Sequence, residues 1–342
     1  MAYQNVGTPR FYIDHINHQK EYGVLDVMDE FNSEISGLTY PSNYKKIELP
    51  DGQYKAVNYS MVNTTFKNIN WAGFIGHNIG DNFKIEIEAY NPETLNITDI
   101  TNKEAVINFD DGYCESGFSI IKNSSGDYFA FEEDATYFRF MLTTSSGNTF
   151  LEDNLTEVDI GSLCFGIYYD MPHSPELDLT MTIENDGYSS ITTQGGAHLS
   201  DIRYLGAPMW GTGFPPWTIG GNTLETRNGR RVWSLSFNYL SDSDLFASNY
   251  MSTTYLESGS DTGYNSDDID NDNFYYTLEN DNSFHAQVLN KIGNGQRFIF
   301  QPDNTNNQPD QFAICQLNQD SLKIDQIANG AYNIRMEIRE VW

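Results

Sequence analysis

Two stretches near the C-terminus alternate between apolar and polar side chains. In one, Trp233, Leu235, Phe237 and Tyr239 alternate with Ser234, Ser236 and Asn238. In the other, Tyr332, Ile334, Met336 and Ile338 alternate with Asn333, Arg335, Glu337 and Arg339. A period of two puts every second side chain on the same face of a pleated strand, so each stretch predicts a strand with one buried face. Trp233, Leu235 and Phe237 are the expected core of the first, and the Arg335 and Arg339 face of the second is left for acidic neighbours. Upstream, Phe83, Ile85 and Ile87 alternate with Lys84, Glu86 and Glu88, and residues 70–79, which include Trp71, read as a buried strand entering a turn. Further strands are expected over 105–109, 117–121, 137–142 and 162–169, between turn signals such as Asp111-Gly112, Ser125-Gly126 and Ser146-Gly147.

Short strands at this spacing predict a mainly β chain, with a jelly-roll β-sandwich over residues 51–172. Residues 1–50 are mixed: Phe11, Tyr12 and Ile13 can start a strand, and 24–28 another strand or a short helix. They are read as an arm that pairs with a distant sheet or a neighbouring subunit. Residues 168–175 contain Pro172 and Pro175 and are read as a linker, because prolines this close interrupt regular structure. The remainder, 173–342, forms the second unit. It resumes with Leu177, Leu179, Met181 and Ile183 and contains one expected helix: Phe284, Val288 and Ile292 share a face, Asn282 or Ser283 can cap its start, and Gly293 stops it. Strands then start at Arg297, in a stretch that includes Phe298 and Phe300, and at Phe312.

Charge narrows the partners. Of 342 residues, 48 are Asp or Glu and 19 are Lys or Arg, a formal charge of −29. Such a surface repels nucleic acid and anionic lipid, so neither is expected as a main partner. No apolar run approaches the roughly 20 residues that span a bilayer, and residues 1–10 lack the apolar core of a secretory leader. Three cysteines, Cys114, Cys164 and Cys315, are too scattered for a disulfide framework or a zinc site and read as buried thiols.

Candidate chemistry is sparse. No Ser/His/Asp or Cys/His arrangement stands out, His77 reads as a structural hydrogen-bonding group, and the other histidines lack metal-ligand spacing; no catalysis, cofactor or metal is expected. Residues 257–281 hold eight acidic side chains and no Lys or Arg, but lack the Gly and terminal Glu of an EF-hand, so they read as a solvated loop. An aromatic loop carries Trp210 and Trp217, which could stack on a sugar or a protein partner, or fold back as a plug.

The Trp-Ala-Gly-Phe-Ile-Gly-His-Asn block at 71–78, with the strands after it, resembles discoidin-like or carbohydrate-binding jelly rolls of phage virion proteins. The order of elements from 231 onward resembles the tail-tube-like fold of tail-tip, baseplate and distal tail proteins of long-tailed bacteriophages. Arg231, Trp233, Leu235, Phe237, Leu240, Gly293, Phe298, Phe300, Pro302 and the strand from Ile334 to Trp342 carry that likeness. The resemblance implies a structural virion protein, made in the host cytoplasm and built into the tail as a ring around a channel. Its partners would be copies of itself, other tail proteins and, through the jelly roll, a host surface glycan. Arg231, Arg335, Arg339 and Trp342 are the expected assembly contacts, and Trp210 and Trp217 the expected glycan or partner contacts. The other readings are a carbohydrate-binding adhesin or receptor-binding module, and a capsid decoration protein.

Overall fold

The structure, a computed structural model, describes residues 7–21, 25–29, 45–61, 68–91, 93–94, 97–100, 104–107, 109–110, 113–114, 117–123, 128–129, 135–184, 188–202, 230–246, 282–293, 295–308 and 311–341. The chain is mainly β, its sheets are antiparallel, and the described strands do not close into a barrel. One sheet of eleven strands runs through the molecule. From one edge its order is Thr180–Glu184, Arg230–Ser241, Ala331–Glu340, Ala313–Leu317, Phe298–Gln301, Arg10–Asp14, Ser162–Asp170, Trp71–His77, Gly117–Lys122 and Glu104–Ile107. The strand Ile324–Ala328 pairs with Ala331–Glu340 beside this path.

The strand Arg10–Asp14 joins the strands before residue 172 to the C-terminal strands. On one side it pairs with Ser162–Asp170, Arg10 facing Asp170 and Asp14 facing Gly166. On the other it pairs with Phe298–Gln301, Arg10 facing Gln301. Side chains reinforce both seams. The Arg10 guanidinium donates to both Asp170 oxygens at 2.6 and 2.7 Å and lies 4.5 Å over the Tyr168 ring. The Tyr12 hydroxyl donates to Gln301 Oε1 at 3.0 Å, and Gln301 Nε2 donates in turn to the Asn306 carbonyl at 2.9 Å. A bidentate, charge-assisted pair fixes register as well as adding energy. Strand Ser162–Asp170 continues through Tyr168–Asp170, so regular structure extends into the stretch read as a linker.

A second, five-stranded sheet, in the order Leu25–Asp29, Tyr54–Met61, Tyr137–Thr144, Phe83–Tyr90 and Ile97–Asp99, packs face to face on one end of the large sheet. Its alternation is as the sequence predicts: Phe83, Ile85, Ile87 and Ala89 are buried and Lys84, Glu86 and Glu88 are half-buried. The interior is aromatic. Phe138 lies 4.4 Å from Phe165, Phe74 5.1 Å from Phe140, and Tyr59 5.3 Å from Phe165, as ring centroids. Trp71 points to the opposite face of the large sheet, packs edge-on against Tyr12 at 5.3 Å, and donates its indole N–H to the Ile13 carbonyl at 3.2 Å.

Over the other half of the large sheet lies the expected helix. Phe284, Val288 and Ile292 are buried, and Ser283 Oγ accepts from the Ala286 N–H at 3.2 Å. Gly293 ends the helix at a φ of 51°, a conformation that costs a side-chain-bearing residue energy. Residues His285–Leu289 are wound in a wide, π-type turn, which the spacing of apolar residues did not reveal. Two more helical segments were not anticipated. His15–Glu21 starts where Asp14 Oδ1 accepts from the Ile16 N–H, an N-cap contact. Asp242–Leu245 is a single turn closed by reciprocal bonds between Ser241 and Asp244.

Trp233, Leu235 and Phe237 are buried as expected, with Trp71, Phe298 and Phe300. Tyr239 is not. The strand bulges between Phe237 and Leu240, so that Tyr239 adopts a φ of 62° and is 75% exposed while Leu240 is fully buried in its stead. One extra residue reverses which side chain faces the core, which is how a bulge defeats a period-two reading.

Gly166 sits where two strands come closest to the first helix. A Cβ there would stand 2.1 Å from the Ile13 carbonyl oxygen and 3.0 Å from the His15 nitrogen, both backbone atoms that cannot rotate away. Gly166→Ala is expected to cost about 3 kcal/mol through overpacking, read as a lowered urea midpoint; an unchanged midpoint would mean that this seam is looser than described.

Candidate assembly surface

The charged residues expected to contact neighbouring copies sit on two adjacent strands near one end of the large sheet, Arg230–Ser241 and Ala331–Glu340. Arg231 and Glu340 face one another across the Arg230–Ser241 and Ala331–Glu340 strands. Arg231 donates to the two Glu340 oxygens at 3.1 and 3.0 Å and to the Phe312 carbonyl at 2.8 Å. Its guanidinium also lies 5.1 Å from the Trp233 ring. Arg231 is thus turned into its own chain, where it satisfies a buried carboxylate. Arg339 reaches across the intervening strand to Glu184, donating at 3.0 Å, and ties the edge strand to the sheet. Arg335 is exposed, opposite Ser236. Trp342, Trp210, Trp217 and the acidic stretch 257–281 lie outside the described residues.

Beyond these arginines the sheet ends at Thr180–Glu184, which pairs with Arg230–Ser241 on one side only among the described residues. The sequence predicts an alternating, half-buried strand here. The structure leaves both faces open: Met181 and Ile183, which share the face of Trp233 and Arg231, are each 54% exposed, and Leu177 just before them is 88% exposed. Among the described residues, the apolar layer that begins under Trp233 therefore ends exposed at this edge. An open edge strand with apolar side chains presents unpaired backbone groups to another chain. The sequence pattern of Leu177 to Ile183 reports which side chains share a face, not how exposed that face is.

The structure also places polar groups in the interior. His77 Nε2 lies 3.0 Å from Ser119 Oγ, and neither residue is exposed. Burial pushes His77 down to about 3, so the ring is neutral, and the pair joins adjacent strands as the sequence reading expected of a structural histidine. A second group was missed. Lys291, on the helix, donates to His15 Nε2 at 3.1 Å and to Gln287 Oε1 at 2.9 Å, and all three residues are buried. Burial first, then the Lys291 charge and His18, hold His15 well below its usual range; burial and Lys291 hold His18 near 4. Burial raises the Asp14 carboxyl to about 7. His15 and Lys291 lie 276 positions apart, too far for a spacing motif to link them. Cys164 and Cys315 are buried free thiols, pushed up chiefly by burial. No cluster of three or more His, Cys, Asp or Glu that could hold a metal occurs among the described residues. No described helix is long and apolar enough to cross a membrane.

The chain matches no family model, no curated protein and no solved structure.

This geometry has two testable consequences. Arg231→Ala leaves Glu340 buried without its cation and is expected to cost about 3 kcal/mol, whereas Arg335→Ala changes the urea midpoint little; equal effects would contradict the internal role of Arg231. The second concerns pH. The unfolded chain protonates His77 below about pH 6.5 and the folded chain only near 3, so this group's contribution to stability is lost as pH falls through that window. Asp14, raised instead of lowered, acts in the opposite sense between its ordinary range and 7. Between pH 7 and 5 the native protein is therefore expected to lose about 2 kcal/mol more than His77→Gln, measured by urea unfolding at both pH values; parallel losses would mean that His77 is protonated in the fold.

Proposed function

We propose that this protein is a structural component of a tailed-bacteriophage virion, one copy of a ring at the tail tip or baseplate that connects the tube to host-binding parts. The observation that carries the reading is the Thr180–Glu184 edge, which among the described residues pairs on one side only and leaves Met181 and Ile183 exposed. Nearby charges support it: Arg231 and Arg339 are matched within the chain, so the edge is free to act through apolar contact and strand pairing. The order of strand, short turn, helix, three strands and closing strand among the described residues from Arg230 to Glu340 is in keeping with a tail-tube-like domain. In this reading the two facing sheets before residue 172 are the jelly-roll part, carried outward as a spacer or glycan-contacting module, and Trp210 and Trp217, in the 173–342 unit, are glycan or partner contacts. The protein is non-catalytic, needs no cofactor, and its acidic surface keeps passing DNA from sticking.

Because copies of one sheet edge are involved, a head-to-tail contact that closes generates a ring. The native protein is expected to sediment as a closed oligomer and to appear as rings in negative stain. Ile183→Lys, a charge on the open edge, should leave a folded monomer with an unchanged thermal midpoint. A native protein that stays monomeric at its highest soluble concentration contradicts the proposal, all the more if it is retained on a glycan array, as a free-standing adhesin would be.

A further inference from the structure

Directly after the edge strand the chain forms a hairpin, Tyr188–Thr192 paired with His198–Ile202. Ile191 faces Leu199 and Thr192 faces His198, with the Thr192 hydroxyl 3.0 Å from His198 Nδ1. The tip is closed by Thr193, whose carbonyl accepts from the Gly196 N–H at 2.9 Å and whose hydroxyl accepts from the Ala197 N–H at 3.1 Å. Every described side chain of its two strands is exposed, and among the described residues its sheet has only these two strands. Two-stranded hairpins without a covered face are marginal in water. Yet this one places Ile191 and Leu199, 66% and 59% exposed, side by side on one face. Two bulky apolar side chains paired on an otherwise uncovered hairpin need a surface to rest on.

We infer that the Tyr188–Ile202 hairpin is an arm that docks on a second copy of this chain, its Ile191–Leu199 face seated on the neighbour's Met181–Ile183 strip. This deepens the ring reading and rests on it. Three observations select this occupant. The strip is the matching patch: Met181 and Ile183 also share one face and are open to a similar degree. Arm and strip adjoin in sequence, so one contact uses the arm of one copy and the edge of the next, which is the head-to-tail arrangement a ring requires. Charge agrees: residues 188–202 hold one carboxylate, Asp201, and no Lys or Arg, in a chain of net charge −29. Copies this acidic repel one another over most of their surface and can approach where charge is low. A basic partner would be drawn to the acidic surfaces instead. Each five-residue strand reaches about 17 Å, enough for the arm to extend past its own edge.

The test uses the full chain and sedimentation velocity on two variants, alone and mixed. Leu199→Lys places a cation on the arm, and Met181→Glu an anion on the strip. Both sites are more than half exposed, so thermal midpoints should hold. Each variant alone is expected to associate at least about tenfold more weakly than the native protein. An equimolar mixture should regain assembly, because the cation introduced on the arm of one copy then meets the anion introduced on the strip of the next, while the reciprocal contact is native. Variants that assemble like the native protein overturn the arm and leave the ring reading standing. A mixture that stays apart overturns the pairing of arm with strip. A monomeric native protein overturns the ring reading and the arm with it.

Discussion

The structure depends on one strand finding its place. Arg10–Asp14 is hydrogen-bonded on both sides, to a strand some 160 residues away and to another some 290 residues away, and without it the large sheet would be two sheets. Its side chains serve both faces. Phe11 and Ile13 enter the core beneath the helix, Phe11 lying 5.3 to 5.7 Å from Phe284, Phe298 and Phe300 as ring centroids. Tyr12 enters the opposite layer beside Trp71. Non-local pairing of this kind closes a long loop before any contact compensates for the lost chain entropy, so it is expected to form late. Once formed, it makes the strands before residue 172 and the C-terminal strands one sheet.

That continuity gives the open edge its meaning. The edge strand Thr180–Glu184 is held by Arg339 and by pairing with Arg230–Ser241, and the sheet behind it continues to the strands before residue 172. A rigid edge can add strands from a neighbour without rearranging, which lowers the entropic cost of association. The arginines near it are committed internally, the bidentate Arg231–Glu340 pair most of all. Charge in this region therefore fixes the chain's own register, and the exposed apolar side chains are left to act between chains.

The sequence was most legible where a strand has one wet and one dry face. The strands holding Trp233 and Ile334 follow their period of two, as does Phe83–Tyr90, and the helix ending at Gly293 could be placed from three apolar residues and its cap. It was least legible where structure depends on distant partners or on what is missing. Nothing in Phe11-Tyr12-Ile13 names Ile167 or Phe300 as neighbours. The bulge that expels Tyr239 leaves no mark on the alternation of residue types. Leu177 to Ile183 carry an apolar pattern, but a pattern reports which side chains share a face and not whether that face is covered. The buried Lys291–His15–Gln287 contact joins residues more than 270 positions apart, beyond any spacing motif.

Amide hydrogen exchange tests most directly whether Arg10–Asp14 is an interior strand joining both halves of the large sheet. If the strand is interior, the amides of residues 11–14 exchange among the slowest in the protein, in step with those of Ser162–Asp170 and Phe298–Gln301. Fast exchange of residues 11–14 while both flanking strands stay protected would contradict it.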